Sequence, residues 1–161
     1  MIFRYKRLVV LTAGVCMLFV LGCKKLTDEH NAITDTELGN NLSEMVSANS
    51  NLSTFAGYLK QTGLDSVIAS SRTYTVFAPV NAALVGLDPA IVGNPEKLKK
   101  FVRNHIASEL IPATGNAARR ILMLSGKYHN LVGSKIETAN ITVADKYASN
   151  GLLQVIDKPL P

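Results

Sequence analysis

The segment at residues 73–84 restricts the fold of this chain more than any other, because it predicts a strand that runs almost directly into a helix. Residues 73–77 alternate polar and apolar side chains and consist of β-forming residues, which is typical of a strand. Pro79 has no N–H group to donate, so we expect the strand to end there. Asn81 is a preferred helix N-cap residue and predicts a helix that begins directly after it. The fold must therefore join a strand and a helix with very little loop.

Helical patterns flank this segment on both sides. Residues 37–48 carry apolar side chains at helical spacing, and residues 52–59 repeat them at i, i+3, i+4 and i+7. Gly63 suits the C-terminal end of the second helix, and residues 64–68 predict a further short one. Residues 94–96 combine a cap, a proline at the first helical position and an acid in the first turn, which predicts another helix start.

Short strand patterns occupy the last part of the chain. The predicted strands lie between turn signals and cover residues 120–124, 131–132, 135–137, 140–143 and 152–157. The strongest turn signal is at residues 146–151. Because helices come first and hairpin strands afterwards, the pattern predicts an α+β domain.

Residues 1–22 are typical of a lipoprotein signal peptide. Basic residues precede an apolar run from 8 to 21, which is shorter than the roughly 20 residues that a membrane-spanning helix needs. The run ends in Leu21, Gly22 and Cys23, which resembles the bacterial lipobox, where the cysteine is lipidated and the peptide is cut just before it. We therefore expect Cys23 to anchor the protein in the lipid bilayer. The alternative is an uncleaved anchor helix with an incidental cysteine.

Residues 23–36 are polar and show no apolar period, so they predict a lipidated, flexible tether. Lys24 stands directly after the cysteine. In the sorting rule of bacterial lipoproteins an aspartate at this position favours the inner membrane, so the resemblance to such lipoproteins implies the outer membrane. Residues 24–29 loosely resemble the charged tag that sends lipoproteins to the surface of Bacteroidetes-type bacteria, although a solvated tether explains them equally well. We expect a lipid-anchored protein of the cell envelope, with the surface-facing side favoured over the periplasmic one.

Two motifs in the rest of the chain resemble those of fasciclin domains. The first lies in residues 73–84 and comprises Thr75, Phe77, Ala78, Pro79 and Asn81. The second comprises Asn150, Gly151, Ile156 and Asp157. The predicted helices before and between the motifs also match. The resemblance implies a single fasciclin-like domain at residues 37–161, with several helices packed on a small β-sheet wedge or sandwich.

The resemblance also implies adhesion to proteins or glycans, but two positions depart from the family pattern. Fasciclin domains carry a Tyr-His pair, tied to adhesion in animal members, where this chain has Asn104 and His105. Gln154 stands where the second motif typically has a histidine, and an amide can form hydrogen bonds but cannot titrate. We interpret the motif residues as mainly structural, and His105 as a structural residue rather than a ligand contact.

Four cations lie mostly on one face of the helix predicted after residue 94, namely Lys97, Lys99, Lys100 and Arg103. One interpretation is contact with a polyanion or with anionic lipid. The other is a solvated helix face, and this one is favoured because isolated surface charges usually contribute little.

Other functional classes find little support in the composition. The formal charge is +5, but without residues 1–22 only 14 basic residues face 12 acidic ones, which argues against nucleic acid as a partner. His30, His105 and His129 are scattered, and the chain has no CxxC, HxxxH or HExxH spacing, no P-loop, no GxGxxG and no GxSxG. We therefore expect no metal, no cofactor and no enzymatic activity.

The expected function is that of a membrane-anchored adhesion or binding module that contacts an extracellular or envelope protein or a glycan. One alternative is an accessory of surface polysaccharide binding or processing. A further alternative is a structural envelope lipoprotein without a specific ligand.

Overall fold

The computed structural model describes residues 39–113 and 117–161, in which six α-helices pack on a seven-stranded sheet. The helices are α1 Leu42–Ala48, α2 Ser53–Thr62, α3 Leu64–Ile68, α4 Asn81–Leu84, α5 Pro89–Val92 and α6 Pro95–Arg103, with a 3-10 turn at Ser50–Leu52. The strands are β1 Tyr74–Pro79, β2 Ile106–Ala107, β3 Arg119–Leu122, β4 Tyr128–Val132, β5 Lys135–Ile136, β6 Ala139–Ala148 and β7 Gly151–Ile156. The predicted signal peptide and the tether at residues 23–36 lie outside the described residues, and so does Cys23. No helix in the described part of the chain is long and apolar enough to span a membrane.

The sheet has the strand order β2-β1-β7-β6-β5-β4-β3, in which β1 and β7 are parallel and all other neighbours are antiparallel. Its two ends meet, because Ala107 of β2 forms a bridge with Met123, directly after β3. The Leu124 N–H group also donates to the Ile106 main-chain oxygen at 2.8 Å. The predicted α+β class is confirmed, with an open sheet whose ends approach each other.

Every residue of β1 and of β7 is buried, because both strands are covered on both faces. On one face, Val76 and Ala78 pack in the cluster that the helices form with the sheet. On the other face, Phe77 and Ile156 pack in a second cluster with residues of the β3–β6 half. These two strands therefore separate two apolar cores, and both keep the period-2 alternation of a strand.

Three helix boundaries follow from the backbone or side-chain chemistry of single residues. Asn41 forms a capping box with Glu44, so α1 begins at Leu42, within the helix predicted at residues 37–48; residues 37–38 lie outside the described part. Gly63 ends α2 with a φ of 69°. Asn94 accepts the N–H groups at the start of α6, whose first residue is Pro95.

The predicted turn at residues 146–151 is wrong in its extent. β6 continues to Ala148, so the loop between β6 and β7 consists of residues 149–150 alone. The apolar alternation is broken there because β6 contains register shifts between Ile141 and Val143 and between Val143 and Lys146. The short strand β2 is absent from the sequence prediction, since two residues give no usable period.

Candidate functional site

Thr75 of the first motif holds the segment after β2 against β1. Its side chain is fully buried, and its hydroxyl donates to the Glu109 main-chain oxygen at 2.7 Å. The Thr75 hydroxyl oxygen also accepts the Ile111 N–H at 2.9 Å. The hydroxyl therefore both donates and accepts inside the domain.

The other strand residues of this motif are also buried. Phe77 and Ala78 point into opposite cores, and Pro79 pairs with Ile156 of the second motif in the parallel ladder. The two motifs therefore meet along β1 and β7. Their strand residues build the centre of the domain and present no surface for a ligand.

Asn81 does not cap its own helix, contrary to the sequence prediction. The N-cap residue of α4 is Val80, and no side chain caps that helix. Asn81 instead accepts the Thr54 N–H at 3.0 Å and donates to the Ser50 oxygen at 2.9 Å and to Ser53 Oγ at 3.1 Å. It thereby caps α2 from outside, which no local pattern could reveal because the partners are about 30 residues away.

Asn150 of the second motif joins three parts of the chain. Its Oδ1 accepts the Leu42 N–H at 2.9 Å, at the start of α1. Its Nδ2 donates to the Ile68 oxygen at 2.7 Å and to the Ser70 oxygen at 2.6 Å, at the end of α3. Its own main-chain oxygen accepts the Tyr74 N–H at 3.2 Å, at the start of β1. Asn150 therefore stabilises the fold by joining these three parts of the chain.

Asp157 closes the second motif by binding Asn140. Its two carboxylate oxygens accept the Asn140 N–H at 2.7 Å and the Asn140 Nδ2 group at 2.6 Å. These hydrogen bonds stabilise the charged carboxylate, so they lower the pKa of Asp157. The pair fixes the start of β6 beside the end of β7.

His105 is fully buried and lies two residues after the end of α6. Its Nδ1–H donates to the Phe101 oxygen at 2.9 Å, and its Nε2 accepts the Leu160 N–H at 2.9 Å. The ring also packs against Phe101 and Phe55, with centroids 4.6 and 5.6 Å apart. Burial lowers the pKa of His105 from 6.5 to about 4, so the imidazole is neutral at neutral pH. The ring positions the chain near residue 160 and is closed to an external ligand.

Asn104 lies beside His105 and is the centre of a hydrogen-bond network. Its Nδ2 donates to the Pro161 oxygen at 2.7 Å. Its Oδ1 accepts from Ser125 Oγ at 2.8 Å and lies 3.1 Å from His129 Nε2. His129 in turn lies 3.5 Å from Glu137, yet its pKa is lowered because burial outweighs this carboxylate. Asn104, Ser125 and Pro161 of this network also line a surface depression, described below.

The Gln154 amide also forms hydrogen bonds within the domain. Its Nε2 donates to the Ile111 oxygen at 3.1 Å and to Asp145 Oδ1 at 2.6 Å, and its Oε1 accepts the Asp145 N–H at 2.9 Å. Asp145 adopts a φ of +54° at the bulge of β6 and also accepts the Ala113 N–H at 2.8 Å. Gln154 therefore stabilises an irregular part of the sheet.

An exposed cleft lies beside this buried frame, where α6, the turn after β3 and residues 160–161 meet. One part is a depression of about 390 Å³ with an apolar lining of Ile91, Phe101, Leu160 and Pro161. A second depression of about 450 Å³ continues from it and shares Lys100 and Ser125 with the first. We call the two together the basic cleft, because their cations are Lys97, Lys99, Lys100, Arg103 and Lys127.

The sequence indicated only part of this cleft. It placed four cations on one face of α6, but it gave no sign that Lys127, Ser125 and Leu160 lie beside them. These residues come together through long-range contacts, such as the Lys127 Nζ group that donates to the Pro161 oxygen at 2.6 Å. Within residues 39–113 and 117–161, no group of three or more His, Cys, Asp or Glu side chains is arranged to hold a metal ion.

Comparisons with known proteins agree with this architecture. The Fasciclin domain profile matches residues 50–161. Protein sll1483 of Synechocystis sp. is 27% identical over 145 residues, which cover 82% of this chain and 81% of that protein.

The fold is similar to that of a FAS1 domain pair from the insect cell adhesion molecule fasciclin I. The TM-score is 0.55 at 17% sequence identity, and the match covers 76% of this chain and 51% of that chain. The chain therefore spans about half the length of this structural relative, and the likeness concerns the fold alone. The profile match covers most of the chain, and it carries both motifs that pair along β1 and β7. The chain belongs to the fasciclin-domain family.

Proposed function

We propose that this protein is a non-catalytic binding module of the cell envelope that attaches to a protein or a glycan outside the cytoplasm. The observation that carries the proposal is the fasciclin profile over residues 50–161, because that family consists of cell adhesion and binding modules. The step from family to function is an analogy, so it needs a direct test.

The N-terminal sequence supports the membrane part of the proposal. Residues 1–22 carry the basic, apolar and small-residue sections of a lipoprotein signal, and Cys23 follows at the expected cleavage position. Acyl chains on Cys23 would hold the protein on the bilayer, since each buried CH₂ contributes about 0.8 kcal/mol. Residues 24–36 would then serve as the tether between bilayer and domain.

Four polar residues in or near the motifs indicate that structural and binding roles belong to different residues of the domain. Thr75, His105, Asn150 and Gln154 use their polar groups on other parts of the same chain. We propose that these residues hold the domain together and that partners bind at exposed surfaces instead.

Binding by the anchored protein tests the proposal. Bacterial cells that produce the full-length chain would be applied to arrays of extracellular proteins and glycans, beside cells that produce the Cys23→Ser variant. We expect attachment to a subset of the spots by cells with the intact chain only, because the variant lacks the lipidation site. The proposal would be contradicted if cells that carry the intact chain attached to none of the spots. Cleavage of an arrayed glycan would replace the proposal with a role in polysaccharide processing.

A further inference from the structure

The basic cleft concentrates charge of one sign. Five of the twelve lysine and arginine residues at positions 39–161 line it, against one of the eight acids, Glu96. No ion pair joins Lys97, Lys99 or Lys100 to a carboxylate in the described part of the chain. Such a cluster raises the local potential and attracts anions.

The helix dipole accounts for two of the cations on α6 but not for Lys97. Lys100 and Arg103 lie in the last turn of α6, where the helix dipole favours positive charge. Lys97 lies in the first turn, where the dipole disfavours it. Lys97 and Lys100 are also spaced i, i+3 on one face, so their charges repel each other. A bound anionic group would relieve this repulsion.

The first depression adds an apolar site between the charges. Ile91, Phe101, Leu160 and Pro161 form its lining, and the lysines Lys97, Lys100 and Lys127 stand around it. Its volume of about 390 Å³ lies in the range of sites that take a small ligand or an anchoring side chain. The depression is also preformed, because Asn104 and Lys127 bind Pro161 and His105 binds Leu160.

From this combination we propose that the basic cleft binds an acidic polypeptide segment, with one bulky apolar side chain in the first depression and carboxylates on the surrounding lysines. The inference rests on the proposed binding function and names its partner class. A peptide fits better than a glycan, because an acidic peptide can offer an apolar side chain to the apolar lining and carboxylates to the lysines beside it. A concave site between cations also suits a side chain better than a flat lipid surface.

The test measures binding of fluorescein-labelled peptides to the full-length chain in nonionic detergent by fluorescence anisotropy. The probe is a peptide of glutamate and aspartate around a central phenylalanine, and the comparison peptide has alanine in the centre. We expect the phenylalanine peptide to bind about tenfold more tightly than the alanine peptide. Affinity is expected to fall as the salt concentration rises from about 0.05 to 0.5 M, because the charges are exposed.

Two sets of variants separate the charges from the apolar lining. The double variant Lys97→Glu/Lys100→Glu should weaken binding by about tenfold or more. The double variant Lys60→Glu/Lys135→Glu changes the net charge equally at exposed positions outside the cleft and should leave binding unchanged. Ile91→Asp should abolish the preference for phenylalanine. Unfolding midpoints in urea would show whether each variant keeps its fold, and Lys97→Ala/Lys100→Ala would replace a charge-reversal variant that fails to fold.

The inference is overturned if neither peptide binds, or if both double variants lose binding equally. It is also overturned if heparin or phosphatidylglycerol vesicles bind in the same way while the peptides do not. Arrays with the Lys97→Glu/Lys100→Glu variant distinguish the two proposals. Attachment that survives this variant would remove the cleft and leave the adhesive function, whereas peptide binding by a protein that attaches to nothing would remove the adhesive function alone.

Discussion

Gly151 lies so close to the main-chain oxygen of Tyr74 that a β-carbon at position 151 would stand 1.9 Å from that oxygen. The same β-carbon would approach the Leu42 side chain to 2.9 Å, and the φ of Gly151 is +155°. Asn150, directly before it, binds the ends of α1 and α3. The Asn-Gly pair is thus the point at which two helices and two strands converge, and only glycine allows the approach.

The substitution Gly151→Ala is expected to destabilise the domain by more than about 3 kcal/mol, because backbone of β1 or β7 must shift to admit the methyl group. Gly57→Ala is the matched control, since nothing lies within 4 Å of the place that its β-carbon would occupy on the exposed side of α2. The control should be stabilised by about 1 kcal/mol or less. Urea unfolding followed by circular dichroism measures both, and equal stability of the two variants would refute the steric argument.

Asn150→Ala removes three side-chain hydrogen bonds and should cost about 3 kcal/mol, at roughly 1 kcal/mol for each. Asn51→Ala serves as the control, because the exposed Asn51 side chain makes no hydrogen bond within the described residues. That control should change stability by less than about 0.5 kcal/mol. Chemical unfolding compares the stability of the two variants. A loss of stability in Asn150→Ala as small as that of the control would contradict the prediction, because it would mean that water replaces these hydrogen bonds.

Asn81→Ala should destabilise the domain by about 1–2 kcal/mol, the usual effect of a lost helix cap. Because Asn81 binds Ser53 at the start of α2, its effect should be coupled to that of Ser53→Ala in a double-mutant cycle. Additive losses would contradict a stabilising contact between the Asn81 and Ser53 side chains. The cycle therefore tests whether the Asn81 side chain acts on the start of α2 through this contact.

His105 makes stability depend on pH in a defined direction. Its folded pKa of about 4 lies below the unfolded value of 6.5, so the folded state binds fewer protons between these values. Its contribution is complete above pH 6.5 and is lost as the pH falls towards 4, by roughly 3 kcal/mol in total. The variant His105→Gln should lack this part of the pH profile. Titration of the imidazole by NMR measures the pKa directly, and a value near 6.5 would contradict the buried, neutral ring.

The sequence predicted those parts of the fold that depend on local pattern. Gly63 and Asn94 mark helix ends by their own backbone and side-chain chemistry, and the structure has helix ends at both. The order of helices before strands indicated the α+β class, because layer architecture follows the order of elements. The length of β6 was missed, since its bulges interrupt the alternation on which strand prediction depends.

Long-range partners explain what the sequence could not show. Asn81 was predicted to cap the next residues, as asparagine commonly does, but its partners precede it by about 30 positions. The cations of α6 were visible as a face, whereas the cleft also needs Lys127 and Leu160, which are brought beside them by tertiary packing. Cys23 stays a prediction from the sequence, because it lies outside the described residues.

The most direct measurement is protease digestion of intact cells that produce the full-length chain, followed by immunoblotting for the domain. A soluble periplasmic protein of the same cells reports whether the outer membrane stays closed. We predict that the domain is digested on intact cells while the periplasmic protein survives, and that Cys23→Ser removes the domain from the membrane fraction. A domain that is protected until the cells are opened would contradict adhesion at the cell surface.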